Sequence, residues 1–122
     1  MGHVLIVDDN ALLRTTTREI LAMDFPELVI SEASSGAEAW AILEERIPDL
    51  VFMDIRLGRE SGLELTRRIK AKYPRIVIVV FTNHDLPEYR REAELSGADY
   101  FLSKLESKAA DLTKLAAKVL KD

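Results

Sequence analysis

Three aspartates, a threonine and a lysine stand at points where apolar runs of this chain end. Val4-Leu5-Ile6-Val7 stops at Asp8-Asp9, Leu50-Val51-Phe52-Met53 stops at Asp54, Ile76-Val77-Ile78-Val79-Val80-Phe81 stops at Thr82, and Tyr100-Phe101-Leu102 is followed by Ser103-Lys104. Carboxylates gathered in one place repel each other, and a positive partner relieves them. A hard divalent cation such as Mg²⁺ takes oxygen ligands from one or two carboxylates together with phosphate oxygens and water. An ammonium and a hydroxyl beside it would complete what a phosphoryl group in transfer requires, since that chemistry rests on positioning and charge stabilisation. The sequence has no Gly-rich loop for a nucleotide, so the phosphoryl donor must come from elsewhere. Asp54 can itself act as nucleophile and form an aspartyl phosphate.

Such a pocket requires the apolar runs to end on one edge of a sheet. The runs are short, uniformly apolar and rich in β-branched residues, as in strands covered on both faces. Between them lie helical patterns. Asn10 is placed as an N-cap, with Leu13, Thr17, Ile20 and Leu21 forming a stripe to about Met23, before Asp24-Phe25-Pro26 stops the helix. Leu28–Glu32 is a more polar strand, suited to a sheet edge. Ser35-Gly36-Ala37-Glu38 and Ser61-Gly62-Leu63-Glu64 both have capping-box spacing. The first opens a helix burying Ala39, Ile42, Leu43 and Trp40, ended by Pro48; the second opens one burying Leu63, Leu65 and Ile69, ended by Pro74. A charged helix starts at Asp85-Leu86-Pro87-Glu88, packs loosely and ends at Ser96-Gly97-Ala98-Asp99. The last helix is expected from about Glu106, burying Leu112, Leu115, Ala116 and Val119.

Five strand-then-helix repeats predict an α/β fold, a doubly wound five-stranded parallel sheet with five helices and right-handed crossovers. The weak second and fifth strands belong at the edges, which favours the order 2-1-3-4-5 and a crevice at the carboxyl ends of the strands. With 122 residues, a single domain over 1–122 is expected. The composition, 48% hydrophobic and 31% charged, is that of an ordinary folded protein, and the net charge of −4 argues against direct nucleic-acid binding. Cysteine is absent, which excludes disulfides and thiolate chemistry. Met1-Gly2-His3-Val4 has neither secretory nor myristoylation character, and no apolar run reaches membrane-span length, so a cytoplasmic protein without membrane contact is expected.

Along its whole length the chain resembles the receiver domains of two-component response regulators. The resemblance rests on Ile6-Val7-Asp8-Asp9-Asn10, Val51-Phe52-Met53-Asp54-Ile55, Thr82 and Gly97-Ala98-Asp99-Tyr100-Phe101-Leu102-Ser103-Lys104. The family is itself a standing example of the flavodoxin-like 2-1-3-4-5 order. The resemblance implies a phosphorylation-dependent signalling switch, not an enzyme, although it assists its own phosphorylation and dephosphorylation. Asp54 would accept a phosphoryl group from a sensor histidine kinase or phosphotransfer protein. Asp9 and Asp54 would hold Mg²⁺ directly with the backbone carbonyl of Arg56, and Asp8 through water. Lys104 would pair with the phosphoryl group and Thr82 would swing in to bond it. Phe101 matches the aromatic switch, whose movement reshapes the face of fourth helix, fifth strand and fifth helix, where an output partner or a second copy could dock.

The chain departs from the family pattern at several positions. Leu105 stands where a cis-proline follows the lysine, and a cis bond before leucine costs roughly 2.5–4 kcal/mol, so a trans bond and a slightly displaced lysine are expected. Asn83, in place of a small residue, would narrow the entrance to Asp54. Gly58, where many members carry proline, would loosen its loop. Arg56 and His84 occupy positions that tune water access to the phosphoaspartate. Two other readings compete. One is a degenerate receiver serving as an interaction scaffold. The other is a Mg²⁺-dependent phosphohydrolase of the haloacid-dehalogenase type, although its Asp-x-Asp pattern is not met by the adjacent Asp8 and Asp9.

Overall fold

Alternate residues of each apolar run face opposite ways, so a sheet built from such runs must be covered twice. The computed structural model describes residues 2–121; Met1 and Asp122, the ends of the domain expected from the sequence, lie outside the described residues. Counting the strands of the main sheet alone, these are β1 (His3–Val7), β2 (Val29–Ala33), β3 (Leu50–Met53), β4 (Val77–Thr82) and β5 (Tyr100–Ser103). All neighbours pair in parallel, in the order β2-β1-β3-β4-β5. The expected topology is therefore observed, with the two weak strands at the edges.

The helices are α1 (Ala11–Asp24), α2 (Gly36–Glu45), α3 (Gly62–Lys72), α4 (Pro87–Leu95) and α5 (Ala109–Leu120). Leu5, Val7, Val51, Met53 and Ile78 pack against Ala39 and Leu43 of α2 and Leu65 and Ile69 of α3. Their strand neighbours Val4, Ile6, Leu50, Phe52 and Val79 point the other way, onto Leu21 of α1 and Leu112, Ala116 and Leu120 of α5. Only Ala93 of α4 is buried, where it meets Ile55, Leu63 and Val80. This helix is held loosely, as its charge suggested. Trp40 is half-buried beside Tyr73, their ring centroids 6.5 Å apart.

Helix starts follow the predicted caps. Asn10, Ser35 and Ser61 accept the N–H groups of Leu13, Glu38 and Glu64. The reciprocal half of each capping box is missing: Glu38 turns to the N–H and hydroxyl of Ser34, and Glu64 to Arg67. The last helix begins three residues later than expected, because Ser103 to Ser107 first form a turn, with Ser107 N–H donating to the Ser103 carbonyl at 2.8 Å. The loop after β3 is not slack. Arg56–Leu57 and Glu60–Ser61 pair as a short antiparallel hairpin, with Gly58 at φ 63° in its turn.

Candidate functional site

Register places the polar strand ends together. Val7 is level with Met53, and Met53 with Val80, so Asp8 and Asp54 leave adjacent strands side by side. Thr82 is paired with Ser103, and the Lys104 N–H donates to the Thr82 carbonyl at 2.8 Å. The ladder also runs one step past the strands: Asp8 N–H bonds the Ala33 carbonyl and Asp54 N–H the Val7 carbonyl, each at 3.0 Å. The acids are thus carried on rigid backbone.

Lys104 Nζ donates to Asp8 Oδ2 at 2.5 Å and to Asp54 Oδ2 at 3.0 Å. The side chains are 6%, 7% and 13% exposed for Lys104, Asp8 and Asp54, so these contacts are largely shielded from water. Thr82 Oγ1 donates to the other oxygen, Asp54 Oδ1, at 2.7 Å, and accepts the His84 N–H at 3.2 Å. The threonine has already turned toward the acid. The peptide after Lys104 is trans, as expected, yet the lysine is not displaced from the carboxylates.

Asp9 completes the group. Oxygens of Asp8, Asp9 and Asp54 lie within 4.8 Å of one another, on residues that are buried, exposed and half-buried in turn. An all-carboxylate set open to water on one side suits a hard cation that keeps part of its hydration shell. Asp9 Oδ2 accepts the Gly58 N–H at 2.9 Å, a bond that proline at this position could not make. The hairpin is therefore tied to the acids, where a loosened loop was expected. Asp8 is anchored from behind, its carbonyl accepting Arg14 Nη1 at 2.6 Å. Arg14 and Arg18 also grip Glu32 at 3.1 and 2.6 Å. Burial raises the Glu32 pKa, but the bonds from Arg18 and Arg14 outweigh it and hold the carboxyl below its usual range.

The remaining predicted residues lie close in sequence to Asp54, Thr82 and Lys104. Arg56 is exposed, in the first strand of the hairpin; Asn83 is exposed beyond Thr82. The His84 ring packs toward Tyr89 of α4, centroids 5.5 Å apart. Phe101 is half-buried against the cluster of Ile55, Leu63, Val80 and Ala93, with the Arg90 guanidinium 4.6 Å from its ring centre.

Two features escaped the sequence reading. Gly62 lies so close to the loop after β3 that a Cβ there would fall 1.7 Å from the Asp54 carbonyl oxygen. Ser103 donates its hydroxyl to Asp85 Oδ2 at 2.7 Å and accepts the Leu105 N–H at 3.1 Å. The Ser-x-x-Glu spacing marks Gly62 only as part of a cap, and nothing in the spacing of Asp85 and Ser103 marks them as a pair.

Residues 4–117 match the family model of the response regulator receiver domain. The chain is 37% identical over 109 residues to the transcriptional activator protein ExaE of Pseudomonas putida, covering 89% of this chain and 51% of that protein. It is 37% identical over 102 residues to the chemotaxis protein CheY of Halobacterium salinarum, covering 84% and 83%. The crystal structure of the receiver domain of NtrX from Brucella abortus superposes with a TM-score of 0.87 at 32% identity, covering 97% of this chain and 98% of that one. The chain spans about half or less of the length of the transcription regulators ExaE and DegU that it matches. Among the described residues no helix is long and apolar enough to cross a membrane.

Proposed function

The chain belongs to the response regulator receiver-domain family, and from that premise we propose that it is a phosphorylation-dependent switch whose phosphoacceptor is Asp54. The observation that carries the proposal is the convergence of Lys104 and Thr82 on opposite oxygens of this one carboxylate, with Asp8 and Asp9 beside it. A carboxylate oxygen of Asp54 attacks phosphorus, the P–N bond of a phosphohistidine breaks, and an acyl phosphate forms. The histidine belongs to a sensor kinase or phosphotransfer protein.

Each neighbouring side chain has a task in this step. The Lys104 ammonium, which bridges Asp8 and Asp54 at rest, follows the negative charge onto the phosphoryl oxygens. The Thr82 hydroxyl donates to one of them in place of its bond to Asp54. Asp8, Asp9, Asp54 and the Arg56 carbonyl are the groups that would hold Mg²⁺. When bound, the ion supplies positive charge against the phosphoryl oxygens. Arg56, Asn83 and His84 border the pocket and set how readily water reaches the product.

The switch runs outward from Thr82. Its hydroxyl is bonded to the His84 N–H, and Phe101 packs nearby under Arg90. Displacement of the hydroxyl toward a phosphoryl group draws on the loop before α4 and on the Phe101 pocket. The face of α4, β5 and α5 changes accordingly, and an output partner or a second copy reads it. The domain over 1–122 acts in the cytoplasm and contacts neither nucleic acid nor membrane itself.

Incubation with a small phosphodonor and Mg²⁺, followed by intact mass, tests the proposal. The chain should gain one phosphoryl group, and Asp54→Ala none. Turnover of donor with no adduct would favour a hydrolase, and absence of both a scaffold.

A further inference from the structure

Lys104 is held in place although the chain turns after it through a trans bond to leucine. The turn is built from hydrogen bonds centred on Ser103, which is only 3% exposed. Its oxygen accepts the Leu105 N–H at 3.1 Å, so its single proton is free for Asp85 Oδ2 at 2.7 Å. Its carbonyl accepts the Ser107 N–H at 2.8 Å. A serine oxygen bonded two residues on is a turn-forming device in its own right. Here Asp85, from the loop between β4 and α4, fixes the direction of that hydroxyl, and a buried hydroxyl without a partner would be costly.

We propose that Asp85 and Ser103 form a latch that positions the Lys104 ammonium over Asp54. This rests on the phosphoacceptor reading given above. Neither residue touches the acids in the described hydrogen bonds; both are positioning residues that act through the lysine. The latch joins two turns already linked at a second point, the bond from Lys104 N–H to the Thr82 carbonyl. Thr82 is in turn bonded to Asp54 and to His84, the residue before Asp85. The ammonium and the hydroxyl that face the acceptor are therefore set by one bridged pair of loops. Breaking the bridge leaves both chemical groups in the protein but frees the main chain that aims the lysine.

The test is the rate of phosphoryl uptake from acetyl phosphate with Mg²⁺, measured in a mutant cycle. Ser103→Ala should slow uptake by about ten-fold, in keeping with the rate cost of a small misplacement of a catalytic group. Ser103→Thr, which keeps the hydroxyl, should stay close to the unsubstituted chain. In a Lys104→Ala background, Ser103→Ala should cost nothing further, because there is no ammonium left to aim. Equal losses in both backgrounds, or no loss with Lys104 present, would overturn the latch. If Ser103→Ala does not fold, Asp85→Ala breaks the same bond from a half-exposed loop and takes its place in the cycle. The NMR resonance of the Lys104 ammonium gives a reading free of any donor. It should move toward that of a solvated lysine in Ser103→Ala and Asp85→Ala, and stay in Ser103→Thr; an unmoved resonance in the first two overturns the proposal. Failure of the unsubstituted chain to take up phosphate would instead overturn the phosphoacceptor reading.

Discussion

Replacing Lys104 with methionine keeps most of the length of the side chain and removes its charge, leaving Asp8 and Asp54 facing each other. Their oxygens belong to a group spanning no more than 4.8 Å, and their side chains are 7% and 13% exposed. Two unit charges at that separation repel by about 3.5 kcal/mol at an effective dielectric constant of 20. Loss of one partner from a buried pair costs roughly 3–5 kcal/mol in general, so the two figures agree. For a domain of this size each kcal/mol moves Tm by about 4 °C, and Lys104→Met should unfold some 10–15 °C below the unsubstituted chain. Thermal unfolding followed by circular dichroism measures this. The loss should be largely recovered by adding Asp54→Asn, which removes one of the opposed charges. Mg²⁺ should raise Tm more in Lys104→Met than in the unsubstituted chain, because the ion no longer competes with an ammonium. An unchanged Tm, or a drop that Asp54→Asn leaves in place, would show that Lys104 does not offset repulsion between the two carboxylates.

Gly62→Ala should destabilise the domain by about 1–3 kcal/mol in denaturant unfolding and sharply reduce phosphoryl uptake, because the Asp54 carbonyl must give way to the new methyl group. Gly58→Pro removes the N–H that binds Asp9 and cannot adopt φ 63°; it should cost more than about 1 kcal/mol and weaken Mg²⁺ binding measured by calorimetry. His3 is buried with Nε2 on Ser31 and no partner at Nδ1, and burial, then the Arg46 charge, lowers its pKa from 6.5. The unfolded chain therefore binds this proton more readily, so the contribution of neutral His3 is complete above pH 6.5 and lost as pH falls below it. His3→Gln should remove that slope from a stability profile. Glu32, held below 4.5 by its arginines, contributes a second loss at lower pH, which Glu32→Gln should flatten.

The parts read well from the sequence are those where burial dictates residue type. β1, β3 and β4 lie inside the sheet, and their unbroken apolar runs end where the strands end, which exposed Asp8, Asp54 and Thr82 as strand termini. The sequence places the edge strand β2 one residue early, because Val29 is 40% exposed and little at its boundary is decided by burial. The hairpin after Asp54 leaves no mark in the sequence because strands of two residues carry no periodicity; its one clue, Gly58, reads as slack although it supplies a left-handed turn. The sequence places the start of α5 early because Glu106, Ser107 and Lys108 are compatible with a helix, and the competing turn depends on the Ser103 hydroxyl. Asp85 and Ser103 meet because the register pairs Thr82 with Ser103. Such a meeting is a property of strand alignment, invisible to any count along the chain.

The proposed switch requires an anhydride on the acid at the end of β3 and on no other. Borohydride reduces an acyl phosphate at aspartate to homoserine, which peptide mass spectrometry locates. After exposure to phosphodonor and Mg²⁺, homoserine is expected at position 54 alone. Its appearance at position 8 or 9, or its absence throughout a folded and Mg²⁺-loaded sample, would rule out Asp54 as the phosphoacceptor.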